Sequence, residues 1–254
     1  MDIKHFKCFG PCMVEEWGLQ PWQDAILQRW NEINLYTMTR GINRFKGLAL
    51  ALAEINAQYT PIEGVDELVA WADTAPELSN RAVKIAAETA HGPCLAKAFS
   101  WSQKVNAAIT ALPEGVKRPF PHVKEGLQAA GQFADVAVVS SANREAVIEE
   151  WDRCCLLDCV DVLCCQDAGS KADCIAALLA KGYAPDHVLM VGDAPGDRAA
   201  AELNGVWFYP ILVKQEGPSW TELAETALPK LQAGDFTAYA AQKAQQFADN
   251  LAGD

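Results

Sequence analysis

The segment VLMVGDAPGD at residues 188–197 is the most informative about the fold, because a short apolar run leads into a turn that carries two aspartates. The run at 188–191 is bounded by turn residues and has the length of a buried strand. A helical pattern begins at Asp197 and stops at Gly205. A buried strand, an acidic loop and a helix in this order indicate one unit of a parallel α/β sheet.

The same alternation extends on both sides of this segment. Further strands are predicted at 136–139, 160–165 and 206–211, and helices at 144–154, 171–181 and 197–204. Strands that alternate with helices through short connections predict a doubly wound, Rossmann-like parallel sheet. Helices are also expected at 237–251 and at 220–232, where Ser219 and Glu222 have the spacing of a capping box.

Residues 6–112 show helical spacing and almost no strand pattern. Apolar residues recur at three- and four-residue steps at 22–34 and 45–55, and the segments 82–90 and 95–109 also have helical character. Five of the eight tryptophans lie in this half, and we interpret them as bundle core rather than as ligand-stacking rings. The proline-rich stretch 113–123 indicates a linker. We predict an all-helical domain at 1–116, an α/β core at 117–234 and a C-terminal helix at 235–254.

Composition excludes several classes of protein. The 254 residues include 21 Lys and Arg against 33 Asp and Glu, a net charge of −12, so a nucleic-acid partner is not expected. No apolar run approaches the length of a membrane helix and the N-terminus lacks a signal-peptide pattern, so we expect no membrane partner and a cytoplasmic location. The nine cysteines are then expected to be thiols. Those at 154–165 lack zinc-site spacing and are interpreted as small apolar packing residues.

Polar side chains follow each predicted strand, at the edge where ligands of parallel sheets bind. Ser140 follows the first strand and Lys171 opens the helix after the second. A cation is unfavourable at a helix N-terminus unless an anion lies beside it, although a solvated surface lysine is the alternative. Asp193 and Asp197 follow the third strand and suit Mg²⁺, with a turn aspartate and a helix N-cap as the alternative.

Taken in this order and spacing, Ser140, Lys171 and the GDAPGD turn resemble motifs two, three and four of the haloacid dehalogenase (HAD) superfamily, over residues 136–211. The resemblance implies a Rossmann-like core with a helical cap between motifs one and two. It also implies a Mg²⁺-dependent phosphatase of a small phosphorylated metabolite. Ser140 and Lys171 would then hold the phosphoryl group, Asp193 would bind Mg²⁺, and Asp197 would support the metal site or the lysine.

Motif one of that superfamily, an apolar strand that ends in Asp-x-Asp, does not occur in residues 1–254. Its first aspartate is the nucleophile and its second the general acid/base, so we expect little or no turnover from the chain as written. A missing N-terminal stretch is the favoured explanation, and a rearrangement or a partner strand is the alternative. The family's strand order 3-2-1-4-5 puts motif one at the centre. The strands near 136 and 160 are therefore expected to pair with each other, and those near 188 and 206 likewise.

Two other functions stay open on the sequence alone. One is a non-catalytic HAD-like protein that binds phosphate and Mg²⁺, and the other is an interaction protein whose core is completed by another chain.

In the helical half, Arg40, Asn43 and Arg44 are expected to contact an anionic part of the substrate, with a helix start and solvated arginines as the alternative. The sequence determines neither the substrate nor the oligomeric state.

Overall fold

The computed structural model describes residues 2–252. They form two compact units, residues 2–117 and residues 118–252, and the boundary falls within the proline-rich stretch. Each unit is described by itself below. Within the described range, no helix is both long enough and apolar enough to cross a lipid bilayer.

The first unit is helical, and its helices agree with the periodicity of the sequence. Its helices are α1 (Asp2–Lys4), α2 (Gly10–Trp17), α3 (Gln23–Asn31), α4 (Arg44–Gln58), α5 (Val65–Thr74), α6 (Asn80–Thr89) and α7 (Cys94–Thr110). Two π-helical turns, His5–Phe9 and Glu32–Tyr36, adjoin α1, α2 and α3. The helical segments predicted at 22–34, 45–55, 82–90 and 95–109 are confirmed.

Large aromatic side chains form the centre of this unit. Trp30 and Trp101 are fully buried, and their ring centroids lie 6.1 Å apart in an edge-to-face contact. Phe45 packs edge-on against Trp101 at 6.2 Å. The indole N–H of Trp101 donates to the carbonyl oxygen of Phe9 at 3.1 Å, so the polar atom of this buried ring is satisfied. The interpretation of the tryptophan stripe as bundle core is confirmed.

The second unit contains four strands, joined and followed by helices. The strands are β1 (Ala137–Val139), β2 (Val162–Cys164), β3 (Leu189–Gly192) and β4 (Trp207–Pro210). The helices are α8 (Val123–Ala130), α9 (Arg144–Arg153), α10 (Lys171–Leu179), α11 (Pro195–Leu203), α12 (Glu216–Glu222), α13 (Leu228–Gln232) and α14 (Thr237–Asn250). The predicted alternation of strands and helices is confirmed, and α8 is an additional helix.

The four strands form two separate parallel pairs. Strand β1 pairs with β2, with Val138 opposite Leu163, and β3 pairs with β4, with Met190 opposite Phe208. Within residues 118–252 no ladder joins one pair to the other. The pairing expected from the absence of motif one is therefore confirmed. The fold is α/β, with its four strands in two separate parallel pairs.

Burial differs among the four strands. Strands inside a doubly wound sheet are covered on both faces and are normally its most buried elements. All four residues of β3 are only half-buried, whereas three of the four residues of β4 are buried. In β1 only Val138 is buried. No residue of β2 is buried, so among the four strands only β4 has the burial expected inside such a sheet.

The capping box predicted at Ser219 is wrong. Helix α12 begins at Glu216, so Ser219 lies inside it, where its hydroxyl donates to the Gln215 carbonyl at 2.8 Å. The Ser219 oxygen also accepts from the Leu212 N–H at 3.1 Å. The Glu222 carboxylate accepts from Tyr239 and is ion-paired with Lys243, instead of reaching back to the helix start. Contacts with residues elsewhere in the unit therefore determine the roles of Ser219 and Glu222, rather than their spacing along the chain.

Candidate functional site

The turn after β3 is organised by the carboxylate of Asp197. Helix α11 begins at Pro195, and Asp197 lies in its first turn, 3% exposed. One carboxylate oxygen, Oδ2, accepts from the backbone N–H of Asp193 at 3.1 Å and of Ala194 at 3.0 Å. Backbone N–H groups at a helix start have no partner within the helix. Asp197 therefore satisfies the turn and holds Asp193 at the carboxyl end of β3.

Gly192 is required by this arrangement. A Cβ atom at position 192 would lie 2.4 Å from Cγ and Oδ2 of Asp197, far inside van der Waals contact. Any side chain there would displace the carboxylate that closes the turn. No role for Gly192 was predicted from the sequence. This role could have been predicted from a glycine that lies five residues before an aspartate at the start of a helix.

Lys171 meets Asp197 from the neighbouring connection. Its ammonium donates to Oδ1 of Asp197, so the two oxygens of this carboxylate serve different elements. The N-terminus of α10 is capped separately, because the Ser170 hydroxyl accepts from the Asp173 N–H at 3.2 Å. The anion beside Lys171 is thus a protein carboxylate. The lysine side chain is 28% exposed, and Asp197 takes one of its three donors.

Ser140 lies at the same edge of the sheets. Its N–H donates to the Cys164 carbonyl at 2.9 Å, and its hydroxyl oxygen accepts from the Ala142 N–H at 3.1 Å. The Gln166 N–H donates to the Ala142 carbonyl at 2.9 Å and so joins the loops that follow β1 and β2. No hydrogen bond links Ser140 to Lys171 within residues 2–252. The structure brings Lys171, Asp193 and Asp197 into one network and leaves Ser140 beside it.

An additional ion pair ties the loops after β1 and β2 together. Arg144, at the start of α9, donates to both oxygens of Asp167, at 2.9 Å and 3.2 Å. These hydrogen bonds lower the pKa of the Asp167 carboxyl below its ordinary value. This pair could not be predicted from local sequence, since the two residues are 23 positions apart and only the register of β1 against β2 brings them together.

The acidic residues of the turn offer a limited donor set for Mg²⁺. Both oxygens of Asp197 already accept hydrogen bonds, from Lys171 and from two backbone N–H groups. Asp193 is half-buried and contributes one carboxylate. No cluster of three or more His, Cys, Asp and Glu side chains in residues 2–252 has the placement to hold a metal. Because Mg²⁺ commonly takes one or two carboxylates and fills its shell with phosphate and water, Asp193 fits as a single ligand.

The three polar residues of the helical unit have structural partners. Arg40 is 1% exposed, donates to the Leu35 carbonyl at 2.8 Å and is ion-paired with Asp2 at 3.6 Å. Its guanidinium is therefore buried and held by partners within the helical unit, and a substrate contact at Arg40 stays a prediction. Asn43 caps α4 by accepting from the Phe45 N–H at 2.9 Å, also a structural role.

Arg44 belongs to the same helical unit but is less enclosed. It donates to Asn106 at 2.8 Å and to Ser102 at 3.2 Å, and its guanidinium lies 5.2 Å from the centroid of the Phe9 ring. These contacts join α4 to α7. Burial lowers the pKa of Arg44. A substrate contact at Arg44 stays a prediction.

The nine cysteines are free thiols. Cys165 and Cys174 are buried, and burial raises the pKa of both thiols. A raised pKa disfavours the thiolate that would bind a metal or act as a nucleophile. The interpretation of the cysteines at 154–165 as packing side chains agrees with the placement of Cys165, whereas Cys155 is exposed.

A family model of haloacid dehalogenase-like hydrolases matches residues 82–210. The matched range begins in the helical unit and includes Ser140, Lys171 and the turn from Gly192 to Asp197. The chain therefore belongs to the haloacid dehalogenase-like hydrolase family. No curated protein and no solved structure matches the chain.

Proposed function

We propose that this chain carries the phosphate-binding part of a Mg²⁺-dependent HAD-type phosphatase that acts on a small phosphorylated metabolite. The observation that carries the proposal is the Lys171–Asp197 pair at the start of α10 and α11. A nearly buried carboxylate holds a partly exposed ammonium at the carboxyl edge of parallel strands. A phosphate bound at this edge would contact both a fixed cation and the N-termini of helices.

In this proposal each residue has a distinct task. Lys171 binds a phosphoryl oxygen with donors that Asp197 does not use, and the Ser140 hydroxyl donates to a second oxygen. Asp197 is a positioning residue, because it acts through Lys171 and through the turn. Asp193 would hold Mg²⁺, which when bound neutralises charge on the phosphoryl group. The core would be the Rossmann-like domain of the family and residues 2–117 its helical cap.

The nucleophile is the group that residues 1–254 do not supply, since they contain no Asp-x-Asp. The proposal for the chain as written is therefore phosphate binding without appreciable hydrolysis. This also favours a second candidate function, a non-catalytic family member that binds phosphate and Mg²⁺. The two candidates share a binding site and differ in turnover by the natural protein.

Calorimetric titration with inorganic phosphate in the presence of MgCl₂ tests the shared binding site. We expect binding that weakens at least ~10-fold, about 1.4 kcal/mol, in Lys171→Met. Lys171→Arg should retain part of the affinity because the positive charge is kept. Lys124→Met, a change at an exposed lysine of α8, is the matched control and should bind as the unsubstituted chain does.

Hydrolysis of p-nitrophenyl phosphate by the same samples separates binding from catalysis. We expect no release of nitrophenol above the buffer rate. Mg²⁺-dependent release that disappears in Lys171→Met would show that this chain has its own nucleophile. An absence of phosphate binding by a chain with native circular dichroism would refute the proposed site.

A further inference from the structure

Two thiols of the α/β unit lie close together where β2 leads into α10. Cys164 is the last residue of β2, and Cys174 lies near the start of α10. The two side chains are within hydrogen-bonding reach of each other. The turn between the strand and the helix therefore folds back far enough to bring one thiol against the other.

Hydrogen bonds within this turn fix the arrangement. The Ala168 N–H donates to the Cys165 carbonyl at 2.8 Å, which holds the turn against the end of β2. The Ala168 carbonyl oxygen lies 3.8 Å from the sulfur of Cys174, a contact typical of a weak S–H···O hydrogen bond. The Cys174 N–H donates to the Ser170 carbonyl at 3.0 Å, within the first turn of α10. The same short segment thus positions both thiols.

The adjacent thiol, Cys165, has different surroundings. It is 0% exposed and packs with Val138 and Val147 in an apolar cluster. Side chains of consecutive residues in an extended chain point to opposite sides, which agrees with separate environments for Cys164 and Cys165. Cys165 therefore serves as an internal comparison, because it has almost the same position in the sequence as Cys164.

The two thiols of the pair differ in exposure. Cys164 is half-buried and so partly open to a small reagent, whereas Cys174 is 2% exposed. Burial and, after it, the negative charge of a Cys164 thiolate raise the pKa of Cys174. Oxidation of Cys164 to a neutral sulfenic acid removes that charge, so Cys174 ionises more readily after its partner has reacted. This order of reaction is typical of an accessible cysteine beside a shielded, resolving one.

We propose that Cys164 and Cys174 form a modification site for a peroxide, which oxidises them to a reversible disulfide between β2 and α10. The Cys164 thiolate attacks one peroxide oxygen, the O–O bond breaks, and hydroxide leaves as the sulfenic acid forms. The Cys174 thiolate then attacks the sulfur of Cys164, the S–S bond forms, and a second hydroxide leaves. The two hydroxides take up the two thiol protons. One peroxide and two thiols thus give one disulfide and two water molecules.

The disulfide would join two elements that carry candidate site residues. The Cys164 carbonyl accepts from the Ser140 N–H at 2.9 Å, and Lys171 opens the helix that contains Cys174. The inference depends on the thiols and not on phosphate binding, which is measured in a separate experiment. A failure of one therefore leaves the other unaffected.

Oxidation of the full chain with hydrogen peroxide tests the pair. Remaining thiols are blocked with N-ethylmaleimide, and the chain is digested with trypsin and with a protease that cleaves before aspartate. These cleavages leave Cys164 and Cys165 on peptide 161–166 and Cys174 on peptide 173–181. Fragmentation of the linked peptides by mass spectrometry should show Cys164–Cys174 in at least ~10-fold excess over Cys165–Cys174. Dithiothreitol should release both peptides.

Two matched variants and one solvent condition provide the controls. In Cys164→Ala we expect Cys174 to stay reduced and to be labelled by the maleimide, whereas Cys165→Ala should keep the disulfide. In urea the turn is unfolded, so the preference of Cys174 for Cys164 over Cys165 should disappear. The urea control uses the unsubstituted chain, so it decides the question even if a variant does not fold.

Three results would overturn the proposal. One is a Cys174 that peroxide leaves fully labelled by the maleimide in the folded, unsubstituted chain. The second is an equal yield of the two disulfides in the folded chain, which would show that Cys164 has no privileged position. The third is an unchanged preference for Cys164 in urea, which would show that the sequence around the thiols, and not the fold, selects the partner.

Discussion

The helical unit and the α/β unit of this protein complete their backbone hydrogen bonds in different ways. In residues 2–117 each helix satisfies its own backbone, and the remaining task is to bury one face against a shared aromatic core. In residues 118–252 each strand depends on neighbours, and each strand pair has only one ladder. The first unit has no strand among its described residues, whereas in the second each strand is paired on one side only.

This difference shows why the loss of one segment affects the two architectures unequally. A bundle that lacks a helix loses packing surface. A parallel sheet that lacks a central strand loses packing and leaves two rows of polar groups unpaired. All four residues of β3 are half-buried, while Trp30 and Trp101 of the helical unit are fully buried.

The largest effect is expected from truncation of the aromatic core. Trp101→Ala removes a ring that contacts Phe9, Trp30 and Phe45, and it should lower the free energy of unfolding by about 3–5 kcal/mol. Trp101→Phe keeps most of the packing but loses the hydrogen bond to the Phe9 carbonyl, so about 1–2 kcal/mol is expected. Urea unfolding of the full chain, followed by circular dichroism, measures both. Equal losses in the two variants would contradict a packing role for the ring.

A decrease in pH is expected to lower the free energy of unfolding by an intermediate amount, through a histidine of the helical unit. His5 is 9% exposed and stacks on Phe9 at a centroid distance of 4.6 Å. Burial, together with the charges of Arg40 and Arg44, lowers the pKa of His5 from 6.5 to about 3. At pH values between about 3 and 6.5, His5 therefore binds a proton in the unfolded chain but not in the folded chain. Stability should therefore fall with decreasing pH, by up to ~1.4 kcal/mol per pH unit.

The dependence of stability on pH is tested with a substitution that removes the titrating group of His5 but keeps a stacked aromatic ring. His5→Phe should unfold with a smaller loss of stability between pH 7 and pH 5 than the unsubstituted chain. His187→Phe, at an exposed position of the α/β unit, should leave the slope unchanged. Urea midpoints at several pH values measure the difference. Parallel pH profiles for all three proteins would show that His5 is protonated in the folded state.

The smallest effects, of opposite sign, are expected from two glycines of the GDAPGD turn. Gly192→Ala places a methyl group against the Asp197 carboxylate and should cost about 1–3 kcal/mol. Gly196→Ala meets no atom within 4 Å and lies in α11, so it should stabilise the chain by about 0.5–1 kcal/mol. Thermal unfolding compares the two variants directly. A tolerated Gly192→Ala would mean that the Asp197 carboxylate does not close the turn.

Much of the fold could be predicted from local patterns. The apolar spacing of α3, α4 and α7 and the alternation from β1 to β4 are properties of neighbouring residues, so the sequence displays them directly. The strand pairing was predictable because the absent motif would occupy the centre of the sheet. The capping box at Ser219 failed for the opposite reason. A local spacing was outweighed by contacts to Tyr239 and Lys243, 17 and 21 residues from Glu222.

For the candidate site, the residue types were predictable and their partners were not. Ser140, Lys171, Asp193 and Asp197 could be selected because they follow strands. The sequence could not show that Asp197 divides its oxygens between Lys171 and the turn, since that depends on how α10 packs on α11. Nor could it show that Arg40 is buried, because an arginine in a polar loop has the same local pattern whether it faces solvent or the core.

By itself, the sequence determined the order of the elements, the helical and α/β halves, and the set of polar residues at the strand ends. These features follow from periodicity and from chemical type, which are carried along the chain. The packing of the helices and strands determines which polar groups neutralise one another, why Gly192 has no side chain, and that the four strands form two separate pairs. Those depend on distances between residues far apart in the chain, and such distances exist only once the helices and strands have packed.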